Sequence, residues 1–171
     1  MLKVFACVVD DHDLRLVALA GLICLFASHT AFGLLSRARL TERHPWLWVS
    51  AAAAVTACGV WATHFVAMLA FRPGIPMGYG VELTVLSIVA AGLLSWIGCA
   101  LALGPLHRAT LGGAVTGLGF AIMHYIGMAA VRVPGRLAFD GTYVIASVML
   151  ALAIGAAAFH LFGRSQALKR R

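Results

Sequence analysis

Five stretches of this sequence contain no aspartate, glutamate, lysine or arginine: Leu16 to Leu35, Pro45 to Phe71, Leu83 to Leu106, Ala109 to Val131 and Gly141 to Gly163. Each is long enough to cross the hydrocarbon core of a bilayer, which takes about 20 helical residues. All 13 basic and 6 acidic side chains fall outside them. With 62% hydrophobic residues, 11% charged residues and a mean hydropathy of +0.95, a soluble globular domain is excluded. A spanning β-strand needs only about ten residues of alternating polarity, whereas these runs are apolar on every face. The expected fold is therefore all-α, a polytopic transmembrane bundle of five helices in the lipid bilayer. The first stretch lacks the basic start and small-residue cleavage pattern of a signal peptide and counts as a helix. What remains is too short for a soluble catalytic domain. No carboxylate pair, Ser/His/Asp set or phosphate-binding glycine loop supports an enzyme activity.

The formal net charge of +7 would point a soluble protein toward nucleic acid, but here the basic residues sit at span ends and in short loops. Topology accounts for them, and no nucleic-acid partner is expected. One side carries Arg37, Arg39, Arg43, Arg108, Arg164, Lys169, Arg170 and Arg171. The other carries Lys3, Arg15, Arg72, Arg132 and Arg136, accompanied by Asp10, Asp11, Asp13, Glu82 and Asp140. The positive-inside rule then puts the N-terminus outside and the C-terminus in the cytoplasm. Cys7, Cys24, Cys58 and Cys99 form no CxxC or zinc spacing and read as buried, inert thiols.

Shifting the sequence by sixty residues superimposes the second and third spans on the fourth and fifth. Pro45 falls on Pro105, Thr56 on Thr116, Gly59 on Gly119, His64 on His124, Met68 on Met128, Ala70 on Ala130, Arg72 on Arg132 and Ser87 on Ser147. A two-helix unit crosses the membrane twice, so its copies share one orientation. This is a parallel repeat, unlike the inverted repeats of many transporters. Continuing the period puts a third histidine at about position 184, beyond Arg171. The expectation is one membrane domain over 1–171, either a short form or a domain cut before its last helix. Gly112, Gly113, Gly117, Gly119 and Gly127, with Ala57, Gly59 and Ala67, permit close helix approach. Pro73, Gly74, Pro76 and Gly78, and Pro134 with Gly135, mark the outer loops as turns.

Each repeat carries one chemically unusual segment: Thr63-His64-Phe65-Val66-Ala67-Met68 and Met123-His124-Tyr125-Ile126-Gly127-Met128. A histidine and a methionine four residues apart lie on one helical face, so imidazole nitrogen and thioether sulfur can point to a common spot. Both histidines lie seven residues before the end of their spans, roughly 10 Å below the membrane surface at 1.5 Å per residue. An intramembrane imidazole is costly unless it faces the bundle interior and finds a partner. If the helices face each other, His64, Met68, His124 and Met128 offer a soft, uncharged set that suits copper, above all Cu(I). Zinc usually recruits thiolate or carboxylate, and calcium or magnesium needs oxygens. Met123 is about 100° around the helix from His124 and is a weaker candidate. The opposing reading is that the histidines only hydrogen-bond across helices while the methionines fill space.

These segments resemble the MHYT domain, a bacterial integral-membrane sensor module named for its Met-His-Tyr-Thr motif. The likeness covers essentially the whole chain, with Asp11-His12-Asp13-Leu14 and Ala27-Ser28-His29-Thr30-Ala31 similar to the family's opening. Thr63 stands for the leading Met of the first motif, Phe65 for its Tyr and Ile126 for the Thr of the second, and a third motif is absent from the sequence. The resemblance implies a copper site near the outer face that senses oxygen, carbon monoxide or nitric oxide. It also implies a bacterial inner-membrane location and a cyclic-di-GMP signalling domain, fused or separate, as output.

Among the other residues, His12 is placed to join the site or guard its entrance, and Tyr125 to donate a hydrogen bond near it. His29 reads as a packing residue, and His44, His107 and His160 as interfacial. Trp46, Trp48, Tyr79 and Tyr143 read as interface anchors, and Trp61, one turn before His64, as an anchor or a support for the site. Three rivals stand beside the copper sensor. One is a copper carrier or permease, which needs ligands along a continuous path. Another is a haem b protein with His64 and His124 as axial ligands. The third is a membrane subunit in which these residues only pack.

Overall fold

The structure, a computed structural model, describes residues 11–72, 74–135 and 138–169. Lys3, Cys7, Asp10, Pro73, Arg136, Arg170 and Arg171 lie outside the described residues. Five helices follow in order: α1 (Leu14–Leu40), α2 (Pro45–Ala70), α3 (Val81–Leu101), α4 (Leu106–Ala129) and α5 (Gly141–Lys169). All five are long and apolar enough to cross a membrane. Large apolar side chains such as Phe26, Leu93 and Ile145 point away from the bundle, as a lipid-facing surface requires. The chain is a multi-pass membrane protein.

Local chemistry explains the helix ends. The Asp13 carboxylate accepts from the backbone N–H of Arg15 at 3.0 Å, and Asp140 does the same for Thr142 at 2.8 Å, so α1 and α5 begin at equivalent caps. Pro45 opens α2 and Pro105 precedes α4, positions where a missing N–H is harmless. The charge-free stretch reaching Leu106 does not remain helical, because Gly104 and Pro105 end α3 after Leu101. Conversely, α1 runs on to Leu40 through Arg37 and Arg39, and α5 runs to Lys169. Absence of charge delimits the hydrocarbon-immersed part of a helix; the helix itself stops where a backbone cap or breaker stops it.

Successive helices pack as antiparallel neighbours, whereas α2 and α4 touch only lightly. The smallest residues allow the closest approaches. A Cβ on Gly113 would collide with the carbonyl of Gly155, and one on Gly155 with the carbonyl of Gly113, so α4 and α5 meet backbone to backbone.

The loops at the end where α2 and α4 finish hold more order than turns. The two-residue strand β1 (Gly78–Tyr79) pairs antiparallel with β2 (Val131–Arg132). His12 forms an isolated bridge with Phe71. The two pairings match in detail: Asp13 N–H donates to Ala70 at 2.8 Å, and Gly80 N–H donates to Ala130 at 2.7 Å. The duplication therefore includes the segment ahead of α1 and of α3, where the sixty-residue shift shows no similarity.

At the opposite end α1 closes onto α5. Phe32 contacts the rings of Phe159 and Phe162 at 5.4 and 5.3 Å, and the Gln166 amide donates to Ser36 at 3.0 Å. Arg39 reaches across to the end of α3, donating to the carbonyls of Ala102 at 2.8 Å and Gly104 at 3.1 Å, and its guanidinium lies over Phe162. Arg39 thus has a structural partner set beyond its part in the charge balance.

Candidate metal centre

His64 on α2 and His124 on α4 meet. Their Nδ1 atoms are 3.3 Å apart and their rings lie 5.0 Å between centroids at 80°. Two helices that barely pack can bring these rings together because of one absent side chain. A Cβ on Gly127 would stand 2.6 Å from Nε2 of His64, so the imidazole of α2 rests in the place a side chain on α4 would take. Close packing was expected of Gly127; what it admits is the histidine. Nε2 of His64 is buried without a hydrogen-bond partner among the described residues.

The pair opens into a cavity of about 940 Å³. Met68 and Met128 line it, as their spacing from the histidines predicts, and so do Met123, Tyr125 and His12. Met123 reaches the cavity while being 1% exposed, packed against Ala57 and Ala91. His12 stands in the cavity wall with its ring 5.1 Å from that of Phe71. That wall is held by Arg72 N–H donating to Asp11 at 2.8 Å and by the Arg72–Asp13 ion pair. A fourth thioether, Met77, also lines the cavity. It sits in a Pro-Gly loop, where no helical spacing could flag it.

The surrounding aromatics reveal the repeat again. Phe65 contacts Tyr79 at 5.4 Å, and Tyr125 contacts Phe139 at 6.0 Å. Positions 65 and 125 correspond, as do 79 and 139, so the same ring pair occurs twice with the hydroxyl exchanged between its members. The Tyr125 hydroxyl lies 2.6 Å from Ser147 Oγ on α5, and this bond ties α4 to α5. Tyr79 is not an interface anchor, since its hydroxyl is buried under Phe65, and burial holds its phenol above the ordinary tyrosine range. Trp61 meets Phe65 at 4.8 Å with the rings tilted, its indole N–H donates to Thr84 at 3.4 Å, and Phe65 in turn touches the His64 ring at 4.9 Å.

Other expectations need correction. His29 is exposed on α1 rather than packed, because α1 has its main neighbour, α2, on one side only. His160 is half-buried, with Nδ1 3.0 Å from the Thr110 hydroxyl, so it also links α5 to α4. Among Cys24, Cys58 and Cys99 only Cys99 is buried. In a membrane helix the outward face is apolar too, so an apolar context does not mark an interior.

The donor set can be tested against a soft metal. Two nitrogens bound at about 2.0 Å to one tetrahedral ion stand about 3.3 Å apart, which is the spacing of the two Nδ1 atoms. The same spacing also suits an N–H···N hydrogen bond between neutral rings. Among the described residues no three His, Cys, Asp or Glu side chains converge to hold an ion. Thioether sulfur is a donor type that suits a soft ion, and four methionines line the same cavity as the two imidazoles.

A family profile described as "Bacterial signalling protein N terminal repeat", the MHYT repeat, matches residues 58–114 and 117–171. The chain belongs to the MHYT family. The two matched MHYT segments follow one another at the spacing of the internal duplication. Several signalling proteins resemble the chain, among them the following three. An uncharacterized signaling protein of Caulobacter vibrioides is 39% identical over 99% of this chain and 21% of its own length. The bifunctional diguanylate cyclase/cyclic di-GMP phosphodiesterase MucR of Pseudomonas aeruginosa is 33% identical over 95% of the chain and 24% of its own length. The cyclic di-GMP phosphodiesterase NbdA of the same organism is 39% identical over 83% of the chain and 18% of its own length. The MHYT chain thus spans about a fifth to a quarter of these relatives. No solved structure matches it.

Proposed function

We propose that this MHYT chain, a single membrane domain, is a sensor that holds copper between His64 and His124, with Met68 and Met128 as thioether ligands. It reports a diatomic gas (oxygen, CO or NO) or the redox state at the metal. The observation that carries this reading is the 3.3 Å approach of the two Nδ1 atoms in a methionine-lined cavity. Copper would supply a soft, redox-active centre that takes a small exogenous ligand. The protein's part is to orient both imidazoles: Gly127 seats one, and the Tyr125–Ser147 bond steadies the helix that carries the other. Met77, Met123 and His12 stand by as further soft ligands at the cavity wall.

By the positive-inside argument the histidine end faces outward, so in a bacterium the site reports on the periplasmic side of the inner membrane. Output would come from a cyclic-di-GMP domain, fused or separate, as the names of MucR and NbdA indicate for those proteins. The part assigned to this chain is detection, not catalysis. Helix α5, which Tyr125 reaches through Ser147, runs from the site to the opposite end, where Phe159, Phe162 and Gln166 meet α1.

A haem b reading is less well served by this geometry. A macrocycle held by both residues would have to part the two imidazoles, whereas these rings abut and Nε2 of His64 is packed against Gly127. A carrier reading is likewise poorly served: among the described residues, Cys24 and Cys99 are the soft side chains lining the next cavity inward, with neither His nor Met beside them. The test is metal analysis of detergent-purified wild type beside His64→Ala and His124→Ala. Stoichiometric copper in wild type and its loss in both variants are expected; equal copper in all three would refute the reading. A Soret band that disappears with His64 would transfer the site to haem.

A further inference from the structure

A second cavity, of about 400 Å³, lies directly inward of the histidine cavity and is walled by all five helices. Cys24 and Ser28 of α1 and Ile154 of α5 line it and are exposed, so its mouth opens sideways between α1 and α5, toward lipid rather than toward either water phase. Val60, Phe120 and Ala151 line both cavities and form the partition between them. Val60 and Phe120 are repeat-equivalent, and each sits one helical turn before its histidine. The threshold is thus built by the same duplication as the site, with a small residue on one side and a large one on the other.

The chemistry of the walls selects the occupant. The lining is overwhelmingly carbon. Two of its hydroxyls, Thr56 and Thr116, donate to their own helix carbonyls at Ala52 and Gly112, at 2.8 and 3.0 Å. A buried water needs two to four polar partners, and apolar cavities stay dry while taking up xenon or similar solutes. An ion or a polar solute finds nothing here to replace its hydration.

We infer that this second cavity is a lateral port through which a small apolar molecule passes from the bilayer to the paired histidines, with Val60, Phe120 and Ala151 as its inner threshold. The identity of the physiological solute, a diatomic gas, rests on the sensor reading above; the existence of the port does not. The test therefore uses xenon and copper-free protein in lipid nanodiscs, with ¹³C-labelled Val, Ala and Ile methyl groups. Saturable xenon-dependent shifts are expected at Val60, Ala67, Ala151 and Ile154 and not at Val85 on the lipid-facing side of α3. In Val60→Phe, which copies the counterpart Phe120, the shift at Ala67, which lines the histidine cavity alone, is expected to be lost while that at Ile154 stays. In Phe120→Val both are expected to persist. Absence of saturable shifts in wild type, whether because the cavity is shut or because an acyl chain fills it, would overturn the port, as would an unchanged Ala67 shift in Val60→Phe. Carbon monoxide is then added to the Cu(I)-loaded proteins, with copper measured on the same samples. Failure of CO to bind copper-loaded wild type would count against the sensor reading and leave the xenon result standing. Slower CO binding in Val60→Phe would join the two.

Discussion

The two ends of this bundle are built differently from the same helices. At the end opposite the histidines, α1 and α5 are locked by the Phe32, Phe159 and Phe162 rings, by Gln166 on Ser36 and by Arg39 across to α3. At the histidine end the rings of His64 and His124 touch while much of the space beside them is cavity. In the first region the helices are held by ring contacts and by side-chain bonds to carbonyls and hydroxyls. The second region leaves polar atoms such as His64 Nε2 unpartnered and volume unfilled, which a structural role alone would not favour. One end is closed by side-chain contacts and the other encloses the histidine cavity.

This contrast can be broken or sharpened by four variants. The largest effect is expected from Gly113→Val, whose side chain would have to enter the backbone of α5 at Gly155. It should abolish monodisperse protein on size-exclusion chromatography, and a well-folded product would remove the α4–α5 contact as the basis of packing. Gly127→Val tests the other end. The added carbons displace only the tip of the His64 ring, so the fold should survive with thermal stability lowered by no more than about 1–3 kcal/mol, while bound copper falls to background. Retained copper would show that the seat of His64 is not needed. Arg39→Ala removes bonds to two carbonyls and a ring contact. We expect a loss of about 1.5–3 kcal/mol in denaturant titration, with copper content unchanged; an effect on copper alone would dissolve the division between the ends. Tyr125→Phe should have the smallest effect, about 0.5–1.5 kcal/mol from the bond to Ser147. Hydrogen exchange at the histidine end of α5 should rise with it, and unchanged exchange would mean that Tyr125 does not tie α5 to the site.

Much of this was legible in the letters because it depends on local composition. The match of α2 to the stretch from Pro45 is within one residue, since a proline starts it and Arg72 follows its end. The His-Met spacing and the sixty-residue register predict which residues share a level, and His64 and His124 do. Less legible were Met77, which comes to the cavity from a loop, and the β1–β2 pairing that gives this loop its place. The reading of the cysteines failed at Cys24 and Cys58 for a general reason: hydrophobicity separates inside from outside in water but not in lipid.

By itself, then, the sequence determined how many helices there are, that they lie in a membrane, that a hairpin is duplicated and which imidazoles and thioethers recur in it. These are matters of charge, length and period along one chain. Only the tertiary structure decided that His64 and His124 touch, that Gly127 makes the room, and that a second cavity shares Val60, Phe120 and Ala151 with theirs. Helix rotation and helix neighbours set those distances, and in a bilayer both are chosen by side-chain shape across the interface, which hydropathy does not encode.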